Sequence, residues 1–187
     1  DYVQGGGGNT SVKLPGGLMA IKASGFCLSD IRPDKAYAVL DGADLRNFYL
    51  TTEPSELADV EKEGSARAKA DIRHIDGLAD LRPSVEAGFH SILKTFVVHT
   101  HSVYANLAAC STACRPIAAQ AFAGAGYTWG WVPYTDPGAN LTFAIRDELR
   151  RVEKETGKIP SVILMQNHGI IVHDDNPDTA LAIHTDA

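Results

Sequence analysis

The alternation of apolar and polar positions begins directly after a glycine-rich opening, "DYVQGGGGNTSVKL". Thr10 to Leu14 alternate as a short strand does, "PGG" (Pro15–Gly17) turns the chain, and "LMAIKASG" (Leu18–Gly25) reads as the return strand of a hairpin. A further strand is expected at Tyr37–Leu40. From Glu53 to Asp80 the chain is polar and charged, and reads either as partly helical or as a mobile loop. In "RPSVEAGFHSILKT", Pro83 blocks continuation from upstream and Ser84 suits an N-cap. Val85, Phe89, Ile92, Leu93 and Phe96 then recur at helical spacing.

"FVVHT" reads as a strand and "SVYANLAAC" as the start of a helix, after which Gly124, Gly126 and Gly130 break the pattern. "AIRDELRRVEKETG" predicts an exposed, charge-laced helix stopped by Gly157. "SVILMQ" and "IIVH" are strands joined by the turn "NHG", and Pro177 opens a last helix, "NPDTALAIHTDA". Strands alternate with helices while hairpins reverse the chain, so the pattern predicts one α/β domain over 1–187 with a mixed, largely antiparallel sheet.

Composition narrows the partners. The 187 residues carry a net charge of −6, which argues against nucleic acid or an anionic membrane surface as the main partner. A small anion remains compatible, because backbone N–H groups can cradle phosphate without net basic charge. The three cysteines, Cys27, Cys110 and Cys114, are an odd number in a chain too long to need staples, which favours a reducing, cytoplasmic setting. Cys110 and Cys114 would share a helix face and read as small buried residues. No apolar run reaches the length of a membrane span. Asp1 is an unnatural start and Ala187 falls inside an apparent helix, so terminal segments are expected to be missing.

Candidate chemistry centres on "VVHTH". Residues two apart on a strand point the same way, so His99 and His101 project as a convergent pair. Two neutral imidazoles suit Zn²⁺, and a catalytic zinc needs a third protein ligand; otherwise each His satisfies a hydrogen bond at a sheet edge. His168, in a tight turn after a strand with Gly169 to relax the backbone, can be aimed into a cleft. His173 and His184 are expected in polar, exposed surroundings, and His90 falls four residues after Glu86 on nearly the same helix face. Glu86, in the first turn of its helix, is either a dipole-stabilised surface acid or a carboxylate brought to the metal as ligand or base.

The glycine-rich turn, "GGGGNTS", precedes a strand and lacks the phosphate-loop ending, so nucleotide binding is a poor reading. Its amides, with Asn9 and Thr10 or Ser11, could instead hold one anion; the alternative is a flexible turn. "ASG" (Ala23–Gly25) could bring further donors to the same end.

The motifs "GGNTSVK", "IKASG", "PSVEAGFH", "VVHTH", "VPYTDPG" and "QNHGIIV" run in that order from Gly7 to Val172. Together they resemble the class II aldolase/adducin family, which includes zinc-dependent fuculose- and rhamnulose-phosphate aldolases and ribulose-phosphate 4-epimerase. The resemblance implies a three-layer α/β/α domain and a homotetramer with active sites between subunits. It implies one divalent metal per chain on His99, His101, His168 and Glu86. It also implies a sugar-phosphate substrate whose phosphate lies among Gly8, Asn9, Ser24, Gly25 and Ser84. The expected reaction is aldol cleavage or condensation of a phosphorylated ketose through a metal-stabilised enediolate, with Glu86 moving protons. A 4-epimerase or dehydratase, or a non-catalytic adducin-like scaffold, is the alternative. The stretch "AAQAFAGAG" carries no tyrosine where fuculose-phosphate aldolase has one, and Tyr127 follows it, so the proton donor is left unassigned.

Overall fold

A computed structural model describes Val3 and residues 7–187. Gly5 and Gly6 of the glycine-rich turn lie outside the described residues. Eight strands form one sheet: β1 (Asn9–Lys13), β2 (Leu18–Lys22), β3 (Tyr37–Asp41), β4 (Ile72–Arg73), β5 (Phe96–Thr100), β6 (Trp129–Val132), β7 (Val162–Met165) and β8 (Gly169–Asp174). Their spatial order is β4-β3-β2-β1-β5-β8-β7-β6. Every neighbouring pair is antiparallel except β6 and β7.

Seven α-helices cover the sheet: α1 (Gly42–Thr51), α2 (Val60–Ala70), α3 (Ala87–Ile92), α4 (Val103–Ala109), α5 (Cys114–Ala121), α6 (Ala139–Thr156) and α7 (Pro177–Asp186). The alternation of side chains along each strand decides which helices pack where. Val97, Ile163, Met165 and Ile171 point to one face, where they pack with Leu45 and Tyr49 of α1, Phe89 of α3, and Leu141 and Ile145 of α6. Val162, Leu164, Ile170 and Val172 point to the other, against Ala105 and Ala109 of α4, Ala118 of α5 and Ile183 of α7. Two cores on opposite faces of one sheet make the three-layer α/β/α arrangement.

Several local expectations change. The helix read from Ser84 onward is only α3, six residues long and buried on every side, with Val85 outside it and 61% exposed and Phe96 already in β5. A helix wedged between α1, α6 and the sheet has no polar face, so the apolar stripe misjudged its limits. Gly88 explains how it fits: a Cβ there would lie 2.5 Å from Thr142 Oγ1 and 2.8 Å from the Tyr49 ring. The polar stretch 53–80 contains α2 and the edge strand β4. Strand β6, an edge strand that pairs with β7, contains Gly130, so that glycine does not break the pattern as expected. His173 and His184 are buried, at 1% and 6% exposure, rather than exposed. Cys110 caps the end of α4 and is exposed while Cys114 opens α5 and is buried, so they share no helix face.

Candidate metal centre

β5 carries His99 on the face that packs against α3, and His101 follows just past the strand end with the same parity. His168 arrives from the β7–β8 turn, where Asn167 takes a left-handed φ of 53°. The turn can press against β5 because residue 169 is glycine: a Cβ there would sit 2.4 Å from the Thr100 carbonyl oxygen. The three imidazoles form a nearly equilateral triangle, with ring centroids 4.9, 5.0 and 5.1 Å apart. Their ligand nitrogens all lie within 4.8 Å of one another.

Glu86 completes the cluster. It sits at the N-cap of α3 but makes no side-chain capping bond, so its carboxylate is free to face the rings. Its Oε1 lies 3.1 Å from His168 Nε2 and 3.5 Å from His99 Nε2. Ser84 shapes this corner by accepting a hydrogen bond from the Glu86 amide at 3.3 Å. Burial pushes the Glu86 carboxyl up, but the charge of His99 and the hydrogen bonds from His168 and His99 prevail and hold it well below the usual carboxylate range. Burial, helped by repulsion from His99 and His168, lowers His101 to about 4, which keeps that imidazole neutral and its lone pair available.

The donor set fits a divalent cation. His99 Nδ1 donates to the Ile170 carbonyl oxygen at 3.0 Å, which leaves Nε2 as the nitrogen that faces the cluster and could bind a metal once unprotonated. Nε2 of His99 and Nε2 of His101 are 3.1 Å apart, close to the ~3.4 Å separation of two nitrogens on a tetrahedral Zn²⁺ with ~2.05 Å bonds. A divalent cation between these two nitrogens would use the Nε2 lone pairs of both rings.

The predicted anion-binding residues divide into two groups. Ala23 bridges to Pro83, and the Ser24 amide donates to the Arg82 carbonyl at 2.9 Å, so the Ser24–Gly25 turn and Ser84 lie in adjoining loops. Gly8 has a φ of 83° and stands beside the strand end that carries His99. Asn9 behaves differently. It pairs opposite His99 across the β1–β5 ladder, is 1% exposed, and donates from Nδ2 to Glu86 Oε2 at 3.4 Å.

Two cations at the Ser24 turn escaped the sequence reading. Lys22 is buried and its Nζ donates to the Phe26 carbonyl at 2.7 Å. Arg82 Nη2 donates to Ser24 Oγ at 3.2 Å. A lysine in the otherwise apolar strand "LMAIK" was the available signal for the first; nothing local marked the second. His90 stays out of the cluster: fully buried, it bonds Ser11 Oγ through Nδ1 at 2.8 Å and stacks on Phe89. Tyr127 lines a cleft with Lys94, at the opposite end of β5 from the histidines, and its hydroxyl donates to Asp186 at 3.0 Å.

A cleft of about 610 Å³ also opens at that far end, lined by Lys13, Arg46, Lys94, Arg146 and Arg150 among others. These cations are engaged within the fold. Lys13 donates to the His90 carbonyl, Arg46 to the Ile92 carbonyl at 2.6 Å, Arg146 to the Thr52 carbonyl at 2.8 Å, and Lys94 pairs with Asp174 at 3.0 Å.

The chain belongs to the class II aldolase and adducin N-terminal domain family, whose model matches residues 1–185. Among solved structures it is similar to the N-terminal class II aldolase domain of a conserved Thermoplasma acidophilum protein. That likeness has 20% identity over 97% of this chain and 80% of the other, with a TM-score of 0.75. YgbL from Escherichia coli, named as a candidate aldolase/epimerase/decarboxylase, matches at 21% identity over 98% of this chain and 75% of that one, TM-score 0.62. An L-fuculose 1-phosphate aldolase matches at 19% identity over all of this chain and 73% of its own, TM-score 0.60. At these identities the likenesses establish the fold, an α/β domain on a mixed eight-stranded sheet. Among curated sequences, none matches significantly.

Proposed function

We propose that the chain is a divalent-metal lyase, with zinc the expected ion, that cleaves or forms an aldol bond in a phosphorylated ketose. The observation that carries the proposal is the convergence of His99, His101 and His168 beside the carboxylate of Glu86. In this reading the three imidazoles are the ligands, and Glu86 is either a fourth ligand or the base. A divalent ion held there supplies Lewis-acid stabilisation of the negative charge that builds on the ketose oxygens. Glu86, already deprotonated at neutral pH, accepts the proton that must leave a substrate hydroxyl or carbon.

The phosphate is assigned to Gly8, Asn9, Ser24, Gly25 and Ser84. Lys22 and Arg82 support that assignment, because both bring positive charge to the Ser24 turn. Anchoring the phosphate there would place the reacting carbon by binding energy remote from the chemistry. Residues 1–187 are taken as a single domain that acts in the cytoplasm as a homotetramer, with sugar phosphate as partner and neither nucleic acid nor membrane. No helix among the described residues is long and apolar enough to cross a membrane. A second reading is 4-epimerase or dehydratase chemistry at the same site.

Metal analysis coupled to a retro-aldol screen of ketose phosphates, detecting dihydroxyacetone phosphate or lactaldehyde, tests the proposal. One bound ion per chain and an aldehyde product are expected. Glu86→Gln is expected to keep the ion and lose about 10²–10⁴-fold in turnover, the usual contribution of a general base. Epimerised or dehydrated product would select the second reading. A metal-free, inactive protein would leave only a scaffold.

A further inference from the structure

His99 and His101 are held unequally. The ladders of β5 end at His99 on the β1 side and at Thr100 on the β8 side. His101 lies beyond both, so its place relative to His99 depends on the backbone of Thr100. The Thr100 side chain points to the opposite face from the two rings. There its Oγ1 lies 2.7 Å from Nε2 of His184, in the last turn of α7. Both residues are buried, at 2% and 6% exposure. A hydroxyl can donate or accept, so this bond forms with either tautomer of the imidazole. α7 packs on both β5 and β8, and Ile183, next to His184, belongs to the apolar core of that face. A polar ring in such a place is costly unless it is hydrogen-bonded.

From this geometry we propose that His184 is a positioning residue for the metal centre: through Thr100 it fixes, from the far face of the sheet, the strand end on which His99 and His101 converge. The spacing at stake is the 3.1 Å between the two Nε2 atoms. One residue separates the rings, and a small change in its φ or ψ swings His101 while His99 stays in its ladder. A working site tolerates about 0.5 Å of such drift. Two constraints act on Thr100: its ladder pairing with Ile170, at the frayable end of the strand, and the side-chain bond to α7. Thr100 also meets the turn that carries His168, since a Cβ at residue 169 would lie 2.4 Å from its carbonyl oxygen. The segments bearing all three imidazoles therefore meet at Thr100, and His184 anchors it.

The inference rests on the proposed reading of the three histidines as metal ligands. Three single variants test it. Thr100→Val removes the hydroxyl and nearly keeps the shape, Thr100→Ser keeps the hydroxyl, and His184→Ala removes its partner. Zinc affinity of the folded protein, measured by chelator competition, is expected to fall about tenfold in Thr100→Val and His184→Ala. That is the lower end of what is lost with a partner bonded directly to a ligand. Thr100→Ser is expected to bind as the parent does, and Thr100→Val is expected to add little to His184→Ala, since both remove one bond. Parent-like affinity in Thr100→Val and His184→Ala, with only a lowered Tm, would overturn the positioning role and leave a core hydrogen bond. A parent that binds no zinc would sink the ligand reading instead, and the metal-free protein then decides the role of His184. There, NMR relaxation of the His101 backbone amide is expected to show greater mobility in Thr100→Val and His184→Ala but not in Thr100→Ser. A His101 amide equally ordered in every variant would overturn the proposal, whatever the protein binds.

Discussion

Single residues divide here into those that meet at the cluster and those buried as neutral structural histidines. His173 belongs to the second kind. It is buried in β8 and its Nδ1 accepts from the Lys94 amide at 3.4 Å. Burial first, then the nearby Lys94 and Lys13, lower its pKa from 6.5 to about 3. The folded state therefore binds the proton less readily than the unfolded one. This stability is fully present above pH ~6.5 and drains away as pH falls toward 3, because only the unfolded chain takes up the proton in that window. Unfolding titrations from pH 7 to 4 are expected to show this loss. His173→Asn, which retains a short acceptor but cannot titrate, should flatten the slope while lowering stability at neutral pH. An unchanged slope would assign acid sensitivity to other groups, with fully buried His90, lowered in the same direction by burial, as the next candidate.

At the scale of elements, α3 depends on what lies beyond its own six residues. A helix this short is not stable alone, and it lacks a side-chain bond at its N-cap. Its far end is closed by two cations: Lys13 donates to the His90 carbonyl, and Arg46 Nη1 donates to the Ser91, Ile92 and Leu93 carbonyls at 3.2, 2.6 and 3.4 Å. Arg46→Met is expected to cost about 1–2 kcal/mol, the loss of charge-assisted bonds to helix-end carbonyls. The readout is faster hydrogen exchange in α3 than in β7; uniform loosening would mean that Arg46 is not specific to this helix. These contacts also explain what the sequence could reveal. β5, β7, β8 and α7 were legible because their periodicity and end signals agree with their burial; of α6 the stop at Gly157 was legible, but the helix expected to be exposed buries Arg146 and Glu148 along with its apolar face. The histidines were legible because strand parity and a glycine turn fix their direction. By contrast, α3 is buried all round, β4 is two residues long, and β6 is an edge strand with Gly130 inside it. Their pairing partners lie far away in sequence, so no local window contains the interaction that stabilises them. The Asn9–Glu86 contact, 77 residues apart, was hidden for the same reason.

Across the whole molecule, the candidate centre joins parts that the chain brings together late. β5 supplies His99, its continuation His101, the β7–β8 turn His168, and the start of α3 Glu86. A ligand that binds only the folded arrangement stabilises it by mass action, by about 2.7 kcal/mol at a free concentration 100 times its Kd. For a chain of 187 residues that corresponds to a rise in Tm of roughly 5–10 °C, at about 2–4 °C per kcal/mol. Adding zinc to the chelated protein is therefore expected to raise Tm, and a chelator to reverse the change. His168→Ala is the decisive partner experiment. Its side chain is 8% exposed and contributes through the cluster rather than through the apolar cores, so the metal-free variant should melt close to the metal-free parent. With zinc present the two should separate, because the variant retains two imidazoles and a carboxylate and loses most of the affinity. If zinc raises the Tm of His168→Ala as much as that of the parent, the ion binds elsewhere or without His168, and the three-histidine centre fails.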